Sequence, residues 1–260
     1  MRRLKLGALV SFFVLVLGCG GAGYAPSLSS EPRAAAPEVD PSSRPGLATQ
    51  WGESRASNVR TVHFQRADRS QPTAVAAVHY NDASGAAAQV ALHGGAAHAQ
   101  LGSGAQSVRV YVIDEQGRML PTYEAGGRTF VVGVPGQRYA IRIDNHTGVS
   151  FEAVVSVDGL DVIDGREAAF TKPGYILHAG RSTTIEGFRT SSASVAAFRF
   201  GAVASSYAAL STGSARNVGV IGIALFAEAG ATVDLFGEAI RREQADPFPG
   251  RYAAPPPGSY

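Results

Sequence analysis

Asp158, Asp161 and Asp164 recur every third residue in the run VDGLDVIDG (157–165) and are the densest gathering of potential ligands in the chain. Carboxylates gathered in a turn suit Ca²⁺, which takes six to eight hard oxygen ligands. The run lacks the alternate-residue ligands and the closing Glu of a twelve-residue calcium loop. Asp158-Gly159 and Asp164-Gly165 read more simply as turns, where Asp bonds nearby backbone and Gly takes positive φ. The turn reading is favoured, and the three aspartates stay as metal candidates beside it. Two arginines form the other candidate set. Arg189 in GFR and Arg199 in FRF are framed by aromatic residues, the setting in which a guanidinium grips a partner's carboxylate or carbonyl. Strand alternation offers a plainer account of Arg199: it points outward where Phe198 and Phe200 point inward.

Other chemistry is harder to find. His93 and His98 are five apart, which misses the i, i+4 helical face used by paired metal ligands. Gly213-Ser214-Ala215 and Gly102-Ser103-Gly104 do not build the strand-to-helix elbow of a serine hydrolase. No glycine-rich stretch carries the Lys-Ser or Lys-Thr of a phosphate loop, and Lys172 precedes Pro173. Glu152 and Glu186 are carboxylates whose separation depends on the fold, so a glycosidase-like pair is not readable here. We assign no catalytic residue, no bound metal and no cofactor.

The elements that must position these residues are strands. Residues 108–113 (VRVYVI), 128–134 (RTFVVGV) and 138–145 (RYAIRIDN) have the β-branched or alternating character of half-buried strands. Asn145-His146-Thr147-Gly148 then leads into 151–157 (FEAVVSV), and Asn with Gly predicts a hairpin between the two. A second hairpin is expected where Ala179-Gly180-Arg181 separates 175–178 from 183–188. Residues 195–200 (VAAFRF) and 218–226 (VGVIGIALF) complete the set. The last is apolar on both faces, as expected of a covered central strand, with Gly219 and Gly222 marking close packing or a bulge. Residues 59–64 (VRTVHF) and 74–80 (AVAAVHY) suggest two more strands on the same sheet. The Ala- and Gly-rich 83–105 is compatible with a helix, a small-residue strand or a loop. The expected class is all-β: an antiparallel β-sandwich, jelly-roll or Ig-like.

The ends of the chain give its address. Arg2, Arg3 and Lys5 precede an apolar stretch from Leu6 to Leu17 that is too short to span a bilayer. Val16-Leu17-Gly18-Cys19 resembles the bacterial lipobox, which implies cleavage after residue 18 and acylation of Cys19, palmitate included. Cys19 is the only cysteine in 260 residues, so no disulfide is expected. Loss of residues 1–18 removes three of the 23 cationic residues and leaves 20 against 21 acidic ones. Near-neutrality without a basic run excludes a nucleic-acid partner. Residues 19–50 are rich in Pro, Ser, Ala and Gly and read as a lipid-anchored flexible tether. Residues 51–240 read as a single folded domain, and 241–260 as a Pro-rich disordered tail.

The blocks VSVDGLDVIDG (155–165), GYILHAG (174–180), TIEGFR (184–189), VAAFRF (195–200) and ARNVGVIGIALF (215–226), with TQWGESR (49–55), resemble uncharacterised secreted or lipid-anchored proteobacterial proteins. The resemblance implies export and anchoring and carries no activity.

These readings point to an envelope lipoprotein that works as a non-enzymatic binding or assembly module. Its expected partners are the membrane, through lipid, and another envelope protein or a surface polymer. Gly20 rather than Asp after the cysteine points to the outer membrane. The alternatives are an envelope hydrolase with carboxylates assembled in the fold, and a calcium-stabilised surface adhesin.

Overall fold

A computed structural model describes residues 40–97 and 108–231. Cys19 with the residues before it that were expected to direct export, His98, and the Pro-rich end at 241–260 lie outside the described residues. The fold is an all-β sandwich of two sheets. In chain order the elements are β1 (Leu47–Ala56), β2 (Ala74–Asn81), α1 (Ala83–His93), β3 (Gly95–Ala97), β4 (Val108–Ile113), β5 (Thr122–Ala125), β6 (Arg128–Val132) and β7 (Arg138–Asn145). There follow β8 (Phe151–Val157), β9 (Leu160–Asp161), β10 (Tyr175–Leu177), β11 (Ser182–Ile185), β12 (Gly187–Arg189), β13 (Ser194–Ala202), α2 (Tyr207–Thr212) and β14 (Val220–Ala227).

The smaller sheet runs β1-β13-β7-β11, with β12 also on β13 and β4 also on β7; the larger runs β10-β8-β14-β2-β6-β5-β3, with β9 on β8. Their facing sides bury one core. Tyr139, Ile141 and Ile143 of β7 and Phe198 and Phe200 of β13 meet Phe151, Val155 and Val157 of β8 and Ile221, Ile223 and Leu225 of β14. On β7 the alternation of this set with outward Arg142 and Asp144 selects one register, because a one-residue slip would turn Tyr139, Ile141 and Ile143 outward. β14 lies between β8 and β2 and is apolar on both sides: Ala224 and Phe226 join Val154 in a second cluster on the outer face.

Several expectations need correction. The first strand opens at Leu47, with Leu47, Ala48 and Thr49 buried, so four residues expected in the tether belong to the sheet. Residues 59–64 are not a strand. Ser57 and Val59 donate to the Ala193 and Ser192 carbonyls of the β12–β13 turn, and the following side chains face solvent, Val62 being 54% exposed. Alternation there finds no sheet edge to pair with. Of the three readings left open for 83–105, residues 83–93 take the helix, started by the Asp82 side chain accepting from Gly85 N. One strand pair, β2 with β6, is parallel, so the larger sheet is mixed.

Both expected hairpins are crossings between the sheets. β7 pairs with β4, β11 and β13, whereas β8 pairs with β9, β10 and β14. Likewise β10 pairs with β8 and β11 with β7. The two crossings lie together, and Asn145, 1% exposed, ties them. Its Nδ2 donates to the carbonyls of Val149 (2.8 Å), Leu177 (3.1 Å) and His178 (3.2 Å). Its Oδ1 accepts from Thr147 N and Oγ1, and its own N donates to Arg181 O. The 183–188 run also divides at Glu186, β11 serving β7 and β12 serving β13. Gly187 permits that step, since a Cβ there would stand 2.0 Å from Ala196 O.

Candidate functional site

The β8–β9 turn is Asp158-Gly159, with φ of 55° and 81°. Two successive positive φ values match a hairpin of the type that follows strand twist. Asp158 is the one non-glycine residue with positive φ among the described residues. Its carboxylate leaves its own turn and points into the sandwich, where the residue is 4% exposed. Oδ2 accepts from Thr49 N of β1 at 2.7 Å, and Oδ1 from Gly219 N, just before β14, at 2.8 Å. Oδ1 also accepts from the Tyr80 hydroxyl of β2 at 2.5 Å. Thr49 Oγ1 lies 2.8 Å from Tyr80 Oη and 2.6 Å from Tyr139 Oη of β7.

Counting protons orders this network. The Tyr80 proton is spent on Asp158, so Thr49 donates to Tyr80 and Tyr139 donates to Thr49. Burial pushes the Asp158 carboxyl up to about 6, against the pull of donors from Tyr80, Thr49, Gly219 and Val220. Burial, followed by the Asp158 charge, raises Tyr80 and Tyr139 well above the usual phenol range, which keeps both as donors. Thr49, Tyr80 and Tyr139 are 0%, 3% and 1% exposed. No substrate reaches this chain of oxygens, and what it does is lock the β8–β9 turn to both sheets.

The two neighbouring aspartates turn elsewhere. Asp161 Oδ1 accepts from Ile163 N and Asp164 N, holding its own loop, and burial raises its pKa. Asp164 forms an ion pair with Lys172 at 2.7 Å and accepts from Arg166 N. Gly165, at φ 68°, completes the turn expected there. The three carboxylates do not converge, and among the described residues no cluster of three or more His, Cys, Asp or Glu side chains is arranged to hold a metal ion.

The arginines are also committed. Arg189 donates to Tyr175 Oη (3.0 Å), Ser57 O (2.8 Å), Ser191 O (3.0 Å) and Ser57 Oγ (3.1 Å). It thereby ties the end of β1 to β10 and β12. Arg199 stands on the outer side of β13, as alternation predicts, and donates to Glu53 Oε2 at 2.7 Å and to Gly136 O. Arg138 meets Glu53 from the other side at 2.9 Å and Glu115 at 3.1 Å. The Arg199 hydrogen bond, the Glu53 backbone and Arg138 together hold the Glu53 carboxyl down at about 2. This is a partly exposed Arg–Glu network on the smaller sheet, with Arg55 and Glu186 nearby at 3.8 Å.

Sequence reasoning missed the pair Arg66–Glu152. They meet at 2.7 Å with side chains 9% and 11% exposed. Arg66 also donates to Phe170 O (2.6 Å) and Lys172 O (2.5 Å) and lies 3.9 Å over the Phe226 ring. Glu152 accepts from Gly174 N at 2.6 Å. Together they clamp the β9–β10 loop onto the larger sheet. The one legible signal was Glu152 inside an otherwise apolar strand, where a charge must find a partner.

Exposed apolar surface gathers at α2. Trp51 is 48% exposed and packs at 4.7 Å between ring centroids on Tyr207, and Leu210 is 74% exposed. Among the described residues no helix is long and apolar enough to cross a membrane. No family model matches this chain, and neither a curated protein nor a solved structure shows significant similarity to it.

Proposed function

We propose that this chain is a lipid-anchored protein of the bacterial envelope, held by acyl chains on Cys19 and acting as a non-enzymatic binding or assembly module. The lipobox-like Val16-Leu17-Gly18-Cys19 supports the anchor, and Gly20 supports delivery to the outer membrane. The block-level resemblance to secreted or lipid-anchored proteobacterial proteins points the same way. The observation that carries the non-enzymatic half is how the capable groups are used. Asp158, Asp164, Arg66, Glu152, Arg189 and Arg199 each spend their polar atoms on internal bonds. Partner contact falls to exposed surface, of which Trp51, packed on Tyr207, with Leu210 of the same helix is one apolar aromatic part. The partner class is another envelope protein or a surface polymer.

Fractionation tests the anchor. Cys19→Ser should move the protein from membranes to the soluble envelope fraction or leave it uncleaved, because several acyl chains at about 0.8 kcal/mol per buried CH₂ hold a protein firmly. Wild-type fractionation of that variant, with unchanged lipid labelling, would reject the anchor. For the binding half, detergent-solubilised wild type should co-purify a defined partner that Trp51→Ala with Leu210→Glu loses while keeping its melting midpoint. Equal retention by the double variant would remove this corner from the reading.

A further inference from the structure

The outer face of the larger sheet carries a groove with unlike ends. Directly paired residues of antiparallel strands share a face. With Val78, Tyr80, Ile221 and Ile223 in the core, β14 and β2 therefore set three outward rows: Val220 with His79, Gly222 with Ala77, and Ala224 with Val75. β8 extends two of them, Ser156 standing beside Gly222 and Val154 beside Ala224. From the first row to the third is about 13 Å along the strands. The middle row is low, because Gly222 has no side chain and Ala77 is small and exposed.

One end is apolar. Val75, Val154, Ala224 and Phe170 line a hollow of about 240 Å³ in which Ser156 supplies the one hydroxyl among the described residues. Val75 is 60% and Phe170 47% exposed, so the hollow is open to solvent. The other end is cationic. Beside His79 and Val220 lies a second hollow of about 200 Å³, lined also by Arg44, Arg216 and Gln89 and, among the described residues, by no carboxylate. Arg44 is fixed there by donating to the carbonyls of Ala215 and Val218, whereas Arg216 is exposed. Arg128 of β6 adds to the positive field: burial, followed by the Arg128 charge, pushes the His79 imidazole down. Asp158 bonds Tyr80 and Gly219 of this lining but is itself 4% exposed and spent on internal donors.

Hydrogen bonding and charge together select the occupant. β14 pairs with β8 and β2, and β2 with β14 and β6. Both floor strands have thus spent their edge bonds, and the amides of a peptide laid along them would go unmet. An acyl chain asks for no such bonds, and a single negative charge at one end of it matches a groove that is cationic at one end and apolar at the other. We propose that this groove binds a fatty acid, with its carboxylate at Arg44 and Arg216 and its chain running over Ala77 and Gly222 into the hollow at Val75, Val154 and Phe170. The site uses neither Cys19 nor the Trp51 corner, so its failure would leave the fractionation and co-purification tests above unchanged.

Photolabelling of the full chain in cell lysate tests this with two dodecanoic acids, one carrying a diazirine beside the carboxylate and the other near the methyl end. Mass spectrometry should place the first label at Arg44, His79 or 216–220, and the second at Val75 or 168–170. Unlabelled dodecanoate should compete at least tenfold better than octanoate, since each buried methylene tightens binding by up to about fourfold. Methyl dodecanoate, which keeps the chain and lacks the charge, should compete at least fivefold less well than dodecanoate. Ala77→Trp, which fills the exposed middle of the floor, should cut the second label at least fivefold, and Arg216→Glu should cut the first at least threefold, both with wild-type melting midpoints. Labels that fall elsewhere, that do not depend on which end carries the diazirine, or that the ester displaces equally well overturn the proposal. Labelling unchanged in both variants, or absent from the wild type, overturns it as well.

Discussion

The hydroxyl of Tyr80 lies 2.5 Å from Oδ1 of Asp158, joining β2 to a turn 78 residues later in the chain. Around this contact Thr49 and Gly219 bring two further segments to the buried carboxylate, and Tyr139 joins a third through Thr49 Oγ1. A hydrogen bond to a charged group stabilises by about 1.5–3 kcal/mol, and orphaning a buried partner costs a similar amount. Asp158→Ala, which orphans three donors at once, should therefore lower stability by roughly 3–5 kcal/mol, in the range of the largest single-site losses. A denaturant midpoint within error of wild type would contradict the burial of this network.

The same residue sets a pH dependence. Its folded pKa of about 6 lies above the ordinary 3.8. The folded state therefore binds the proton more tightly, and this contribution is full below about pH 4 and lost as pH rises through 6. The two-unit difference corresponds to about 3 kcal/mol. Asp161, also raised, acts in the same direction, while His79, lowered by burial, acts in the opposite one. Between pH 4 and 7 the urea midpoint of wild type should therefore fall steadily relative to that of Asp158→Asn, the difference isolating Asp158. Parallel curves would show that the carboxyl titrates normally.

Asn145 should matter more than its place in a turn suggests. Asn145→Ala removes the donor shared by three carbonyls and the acceptor of Thr147 where the two sheet crossings meet. We expect a loss of about 2–4 kcal/mol, from several bonds and the polar groups they leave behind. Amide exchange should rise at both crossings together. Faster exchange at 145–149 alone would mean that they are not coupled.

Phe198 and Arg199 are neighbours with opposite prospects. Phe198, 0% exposed and packed on Tyr139 and Phe188, should lose about 3–5 kcal/mol on truncation to Ala through lost burial plus a cavity. Arg199 pairs with Glu53 at a partly exposed surface, and Arg199→Ala should cost under about 1 kcal/mol. Comparing the two denaturation midpoints checks the ranking, and the reverse order would refute the outward placement of Arg199.

Glu152→Ala should be severe, at about 3–5 kcal/mol, since Arg66 would keep its charge with its partner removed. Limited proteolysis should then cut the freed loop at 165–174 first. Resistance of that loop in the variant would show that Arg66 and its carbonyl partners hold it unaided.

From the residues alone, the class and most strands were legible. In 138–145 alternation sets Tyr139, Ile141 and Ile143 inward and Arg142 outward, a two-residue period readable without the rest of the fold, whereas in 195–200 Val195 and Ala197, on the side of Arg199, are buried as well. The double-sided apolar pattern of 218–226 likewise marked β14 as central. Partnership was not legible. Asn145-His146-Thr147-Gly148 looks like a hairpin turn, yet it carries the chain between sheets, because the residues that settle the matter, Leu177 and His178, stand over 30 positions away. Asp158-Gly159 was readable as a turn, but the aim of the carboxylate depends on where Thr49, Tyr80 and Gly219 arrive. Local sequence determines backbone conformation and which face is apolar, whereas the pairing of buried polar groups is a long-range choice made by whatever donors the closed sandwich brings within 3 Å.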